Sequence, residues 1–131
     1  MRLWVVAGVM ALVAGGAQAR DILECRLAGN STWVPTIVVV ERNPGADEVT
    51  VFDPIIRHFH GAPIRARVDT DNAVRTTVVW TIRDRGQTST PADVQFRLTH
   101  RKAGDSARIT VQALGYVGPY EGTGTCLRIT R

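Results

Sequence analysis

Hydrophobic residues recur mostly at every second position along this chain, in short runs separated by Gly, Pro, Asn and Asp. This alternation is typical of β-strands that bury one face, and no run after residue 20 has the repeat of an amphipathic helix. The pattern therefore predicts an all-β fold without helices. Its eight strands are expected over residues 21–28, 33–41, 49–53, 63–69, 73–83, 93–102, 107–115 and 124–130.

The sixth and seventh runs predict the clearest hairpin. Gly104 suits the first central position of a two-residue type II′ turn between them. The resulting register places Phe96 and His100 on the apolar face and sets Arg101 directly opposite Arg108. Because turn chemistry and hydrophobic pattern agree, we expect this pairing to form.

The fourth and fifth runs predict a second hairpin with a longer loop over residues 70–72. Matching their apolar faces sets Arg67 opposite Arg75. The second run differs, because Val38, Val39 and Val40 are consecutive and apolar on both faces. This run predicts either cover on both sides or an apolar patch on the outer surface.

The chain has two cysteines, Cys25 in the first predicted strand and Cys126 in the last. We expect them to form one disulfide, because an exported protein meets an oxidising environment. Two free thiols and a two-cysteine metal site are the alternatives. With sequential strands paired, such a bridge would place the first strand beside the eighth. We therefore predict a small antiparallel eight-stranded up-and-down barrel, with a two-sheet β-sandwich as the alternative.

The first 19 of the 131 residues have the features of a cleaved signal peptide. A basic start, Met1-Arg2, precedes a largely apolar stretch, and Ala17-Gln18-Ala19 has the small-residue spacing of a cleavage site. A membrane anchor is the alternative, but the apolar stretch is shorter than the roughly 20 residues of a spanning helix. The prediction is a single soluble domain over residues 20–131, periplasmic or secreted, with no transmembrane segment after cleavage.

The C-terminal third resembles small exported proteobacterial β-proteins of uncharacterised function. The resemblance rests on the four segments 96–98, 101–111, 115–116 and 122–126, the last being Gly-Thr-Gly-Thr-Cys. It implies an exported β-fold and implies no activity, so no catalytic residue follows from it.

Charge is distributed unevenly between turns and strands. The chain carries 16 Lys and Arg against 12 Asp and Glu, and loss of Arg2 with the leader leaves 15 basic residues. Asp69, Asp71, Asp84 and Asp105 lie in or beside predicted turns, where carboxylates commonly bond backbone amides. Arginines instead occupy polar-face positions within predicted strands; they are Arg65, Arg67, Arg75, Arg97, Arg101 and Arg108.

Two interpretations of these arginines remain open. They either confer solubility and discourage edge pairing, or they form a surface for anions, because guanidinium groups match phosphate and carboxylate oxygens. An exported protein would meet such anions in envelope polymers, anionic lipids or acidic proteins. We expect no nucleic-acid partner, given the compartment, the modest charge excess and the small number of aromatic residues.

His58 and His60 form the alternative candidate site. In an extended segment, positions two apart project to one side, so both imidazoles could bind one divalent metal ion with Asp53 as a further ligand. An ordinary loop carrying two solvated histidines is the other interpretation. The metal hypothesis would make the protein a small metal-binding or enzymatic protein.

Other catalytic chemistry has little support in the sequence. Ser31, Ser89 and Ser106 lie in turn-like surroundings without a nucleophile elbow, and residues 43–48 read as a connecting turn. Tyr116 and Tyr120 favour packing roles. We therefore expect no enzyme and no cofactor. The protein is predicted to be a binding module that uses either its barrel mouth or its arginine-bearing face.

Overall fold

A computed structural model describes residues 19–83, 93–113 and 118–131. Its elements are β1 (Asp21–Gly29), β2 (Ile37–Arg42), β3 (Glu48–Phe52), α1 (Pro54–His60), β4 (Ile64–Asp71), β5 (Arg75–Arg83), β6 (Asp93–Arg101), β7 (Ser106–Ala113) and β8 (Tyr120–Thr130). The predicted signal peptide falls on residues 1–19, of which 1–18 lie outside the described residues, as do Asp84, Ser89 and Tyr116.

The eight strands form one closed antiparallel barrel. Each strand pairs with its neighbours in sequence, and β1 also pairs with β8 over its whole length. The barrel prediction is therefore confirmed over the sandwich. Closure pairs the edges that an open sheet of this size would expose.

Cys25 and Cys126 are direct cross-strand partners in the β1–β8 pair. Their side chains are buried and joined by a disulfide between residues 101 positions apart. The predicted bridge is confirmed, and it ties the two strands that close the barrel.

The barrel interior is filled with side chains from alternate positions of every strand. Trp80 on β5 and Phe96 on β6 stack with ring centroids 5.4 Å apart, and the neighbouring Leu98 and Ile109 are fully buried. Ile56 of α1 is also completely buried, so the helix closes the end of the barrel beside it. The two-residue periodicity of the sequence thus identifies the core correctly.

The last strand begins at Tyr120, four residues before its predicted start, and the second begins at Ile37, four residues after. Gly122 and Gly124 lie in β8 with the same alternation as Cys126. A β-carbon at Gly122 would lie 2.5 Å from a methyl group of Val34. The glycines at 122 and 124 therefore permit close packing within a strand, and Gly122 precedes the predicted start of that strand.

The prediction of no helix is wrong at α1. Asp53 caps the helix by accepting a hydrogen bond from the amide of Ile56, Pro54 occupies its first turn, and Gly61 ends it in the left-handed conformation. The segment has only seven residues and buries Ile56 alone, so it has no apolar stripe for periodicity to detect.

Both predicted arginine pairs are wrong in register. Arg108 lies opposite Thr99, two residues before its predicted partner Arg101. The shift arises because the β6–β7 connection is longer than two residues and both Gly104 and Asp105 have positive φ. Arg67 lies opposite Val79, because the chain turns at residues 72–75, where the amide of Asn72 donates to the carbonyl of Arg75, and not at the predicted loop 70–72. An irregularity between Val68 and Thr70 changes the register by one further residue.

The β6–β7 shift is an even number of residues, so each side chain keeps its predicted face. The corrected registers create an arginine pair that the sequence did not predict. Arg75 on β5 lies directly opposite Arg101 on β6.

Within the three described ranges, no helix has the length and apolar character that crossing a membrane requires.

Candidate functional site

The end of the barrel opposite α1 contains a cavity of about 560 Å³, which we call the mouth cavity. Its floor is formed by apolar side chains that face the barrel axis, Leu23, Val40, Val49 and Val78. His100 is the buried polar side chain at the same level, with 4% of its surface exposed. The barrel interior is therefore packed near α1 and open at the mouth.

Asp71 organises one side of the mouth rim. Its carboxylate accepts hydrogen bonds from Nη1 of Arg42 and Nζ of Lys102, each at 2.9 Å, and from the hydroxyl of Thr76 at 3.1 Å. These donors, Lys102 first and Arg42 next, lower the pKa of Asp71 to about 2. Arg42 also donates to the carbonyl of Ala46 at 2.7 Å, which fixes its guanidinium in place.

Asp105 organises the other side. Its Oδ1 lies 2.8 Å from Nε2 of His100 and 2.9 Å from Nε of Arg128. The hydrogen bond with His100, followed by the nearby Arg128, lowers the pKa of Asp105. Arg128 in turn donates to the carbonyl of Lys102 at 3.3 Å, so the two rim networks are joined.

The outer face of strands β4 to β7 carries all six arginines that the sequence singled out, and we call it the arginine wall. Each of the six is solvent-exposed; they are Arg65, Arg67, Arg75, Arg97, Arg101 and Arg108. The polar-face placement of these residues agrees with the sequence pattern, although their neighbours differ.

Carboxylates neutralise three of these arginines. Oδ2 of Asp69 lies 2.7 Å from Nη2 of Arg97, and its Oδ1 lies 3.5 Å from Nη2 of Arg67. One carboxylate therefore bridges two guanidinium groups. Glu121 on β8 lies 2.7 Å from Arg108. Asp69 therefore does not serve as a turn residue, because it bonds arginines of two strands.

Arg75 and Arg101 are the two adjacent members of the wall that have no carboxylate partner among the described residues; Arg65, which also has none, lies apart from them. They are direct cross-strand neighbours, and no carboxylate of the described residues lies within 4.0 Å of either guanidinium. Beneath them, the hydroxyls of Thr77 and Thr99 are hydrogen-bonded to each other at 3.0 Å. Like charges placed opposite each other destabilise a sheet modestly, and this pair has no internal counterion in the described part of the chain.

Arg65 is placed elsewhere on the wall. It borders a shallow groove of about 540 Å³ that also contacts Arg67 and Gln95, where the strands β4 and β5 are no longer paired. The six arginines therefore do not form one continuous cluster.

The prediction that His58 and His60 project to one side is wrong. Both residues lie in α1 and not in an extended segment, and positions two apart on a helix point about 200° apart around the axis. Asp53 is turned to the helix N-terminus and bonds Ile56 at 2.7 Å. Residues 19–83, 93–113 and 118–131 contain no group of three His, Cys, Asp or Glu side chains arranged to bind a metal ion.

The remaining candidate residues have structural partners. The hydroxyl of Ser31 accepts a hydrogen bond from the amide of Trp33, as expected of a turn serine. Tyr120 is half-buried and packs against the core.

Sequence reasoning did not find the rim networks, which join residues from β2, β4, β5, β6 and β8 and the turns beside them. One signal was present, because His100 lies in phase with the apolar residues of β6. A histidine on a core-facing position marks a buried polar group that needs a partner.

No family model, curated protein or solved structure gives a significant match to this chain.

Proposed function

We propose that this chain is an exported binding protein that recognises an anionic partner through its arginine wall, and that it does not act as an enzyme. The cysteine bridge supports export, because disulfides persist in oxidising compartments. The leader-like pattern of residues 1–19 and the resemblance of the C-terminal third support the same location, periplasmic or secreted.

The observation that carries the proposal is the Arg75–Arg101 pair. The two exposed arginines are direct cross-strand partners, and the described residues supply no carboxylate to either. The neighbouring part of the wall supplies an internal comparison, because Asp69 bridges Arg67 and Arg97 there. An external oxyanion would bridge Arg75 and Arg101 as Asp69 bridges Arg67 and Arg97.

The charge distribution of the wall supports the same proposal. Strands β5, β6 and β7 contain one acidic residue, Asp93. Its Oδ1 lies 4.0 Å from Nε of Arg83, at the end of the β5–β6 pairing opposite to Arg75 and Arg101. The carboxylates that neutralise Arg97 and Arg108 come from the flanking strands β4 and β8. The centre of the wall is therefore electropositive toward a partner.

Phosphate is the anion that we favour. A phosphate monoester carries a charge of about −1.5 to −2 at neutral pH, which balances two guanidiniums, and its oxygens accept paired N–H donors. The partner would then be a phosphate-bearing component of the envelope, either a polymer or a lipid headgroup. An acidic protein is the second candidate, because Asp69 demonstrates that a carboxylate also bridges two arginines in this wall.

Two double variants test this function. Arg75→Gln with Arg101→Gln removes the uncompensated pair, and Arg67→Gln with Arg97→Gln removes two arginines of the same wall that Asp69 neutralises. We expect pyrophosphate and vesicles containing an anionic phospholipid to bind the wild type, more weakly as salt rises, and to lose most affinity only in the first variant.

The partner classes separate in the same assay. Binding of pyrophosphate without vesicles indicates a soluble or polymeric phosphate, and binding of both indicates a lipid headgroup. Binding of polyglutamate without either phosphate ligand would replace phosphate by an acidic protein. Equal affinity of the two double variants for every anion would overturn the arginine-wall proposal.

A further inference from the structure

The mouth cavity is distinct from the arginine wall, because it lies inside the barrel and the wall lies outside. An eight-stranded barrel is just wide enough either to be filled by its own side chains or to hold one small ligand. This barrel does both, since the Trp80–Phe96 stack and Ile56 fill one end and about 560 Å³ remains at the other. That volume lies within the range of about 300–1,000 Å³ of small-molecule sites.

The floor of the cavity determines what can enter. Leu23, Val40, Val49 and Val78 present aliphatic side chains, and burying apolar ligand surface against them is favourable by roughly 25 cal/mol per Å². An apolar group is therefore the part of a ligand that fits the floor.

The rim determines the charge of the ligand. Three cations line the cavity, Arg42, Lys102 and Arg128, and three carboxylates, Asp21, Asp71 and Asp105, balance them at the rim as a whole. Within the rim, Arg42 and Lys102 share the single carboxylate of Asp71, which stays ionised at neutral pH because its pKa is about 2. This group of three side chains has an excess of one positive charge, which complements a single anionic group.

The rim cations are held in place and still have donors to offer. Within the described ranges, Arg42 uses Nε and Nη1 for Ala46 and Asp71, and Lys102 uses one contact of its ammonium group for Asp71. A guanidinium has five N–H donors and an ammonium three, so both have further hydrogens for an anion. Because Asp71 already fixes the two side chains, a ligand would lose less side-chain entropy on binding.

We propose that the mouth cavity binds a small amphipathic monoanion, with its apolar body on the floor beside His100 and its anionic head on the N–H donors of Arg42 and Lys102 that Asp71 does not use. This is a second binding site, independent of the anion recognition proposed for Arg75 and Arg101. Fatty-acid-like or aromatic carboxylates, sulfonates and phosphates share the required chemistry.

Dodecanoate is the probe that tests the site, measured by titration calorimetry with the oxidised mature protein and with dodecanol as its neutral analogue. Val49→Phe fills the cavity from the floor, and Thr50→Phe adds the same ring at the neighbouring, outward position of β3. We expect one dodecanoate per wild-type molecule, an affinity lower by about tenfold or more in Val49→Phe, and wild-type affinity in Thr50→Phe.

A second variant keeps the test decisive if Val49→Phe does not fold. Lys102→Gln changes a rim residue, and it should weaken dodecanoate while leaving dodecanol unchanged. No binding of dodecanoate to the wild type, or binding that survives Val49→Phe unchanged, would overturn the site. Dodecanol binding as tightly as dodecanoate would overturn the anionic head. Pyrophosphate titration of the same variants reports separately on Arg75 and Arg101, so each proposal can fail without the other.

Discussion

Gly124 of β8 lies against the backbone carbonyl of Arg26 on β1, so closely that a β-carbon at position 124 would overlap it. A backbone atom cannot rotate away as a side chain can, so the two strands would have to separate beside the disulfide. We therefore expect Gly124→Ala to destabilise the protein by about 2–4 kcal/mol, at the upper end of typical single substitutions.

Denaturant unfolding of Gly124→Ala measures this cost, and Thr123→Ala on the same strand is the control, because its side chain is exposed. A cost below about 0.5 kcal/mol, typical of a surface change, would contradict the close approach of β1 and β8.

Removal of the disulfide by Cys25→Ser with Cys126→Ser should destabilise the protein by up to about 4–5 kcal/mol, since the bridge closes a loop of 101 residues. Reduction of the wild type breaks the same bridge without changing any residue, so the unfolding free energies of the oxidised and reduced wild type should differ by a similar amount. Equal stability of the oxidised and reduced protein would show that the bridge does not constrain the unfolded chain.

Because of Asp53, the free energy of unfolding should increase as the pH falls. Burial raises its pKa above 3.8, only partly opposed by the amides of Ile56 and Ile55, and its Oδ2 has no partner among the described residues. The folded state therefore takes up a proton at a higher pH than the unfolded state, and stability rises as pH falls through the folded pKa.

Unfolding of wild type and Asp53→Asn between pH 7 and pH 4 measures this component. The asparagine keeps an oxygen for the helix cap and removes the ionisation, so the wild type should gain stability relative to the variant as pH falls. A constant difference over this range would show that Asp53 ionises normally. Asp53→Ala removes the cap as well and should be about 1 kcal/mol less stable than Asp53→Asn at every pH in this range.

Asp71 should show the opposite pH dependence. Its pKa is lowered from 3.8 to about 2 by Lys102 and Arg42, so it stabilises the folded state above pH 3.8 and loses this contribution as pH falls toward 2. Because the group is about one-third exposed, solvent screening limits the contribution to roughly 1 kcal/mol. Asp71→Asn should cost that amount at pH 7 and progressively less as the pH falls from 3.8 through 2, measured by denaturant unfolding.

The sequence predicted the identity of the core because the two-residue alternation is unchanged by small register errors. It predicted the cysteine bridge because an exported chain with two cysteines is expected to oxidise them, and the closed barrel because that bridge joins the first and last strands. It failed where geometry depends on distant residues. The position of the β4–β5 turn and the length of the β6–β7 connection changed which arginines face each other, and neither follows from local composition. Helix α1 escaped prediction because a cap and a buried isoleucine, rather than periodicity, stabilise it.

The candidate site was predictable only in part. Alternation placed the six arginines on the outer face, but the carboxylates that neutralise Arg97 and Arg108 come from β4 and β8, which pairing brings close. The rim networks around Asp71 and Asp105 also join distant segments. Sequence reasoning therefore located the charges and could not tell which of them have partners.

The central claim is that Arg75 and Arg101 bind an external phosphate, and NMR of the arginine Nε–Hε signals during a pyrophosphate titration tests it most directly. We expect saturable shifts at Arg75 and Arg101, with small changes at Arg67 and Arg97, which Asp69 already occupies. Equal, non-saturating shifts at all four arginines, or saturation at Arg67 and Arg97 alone, would contradict the claim.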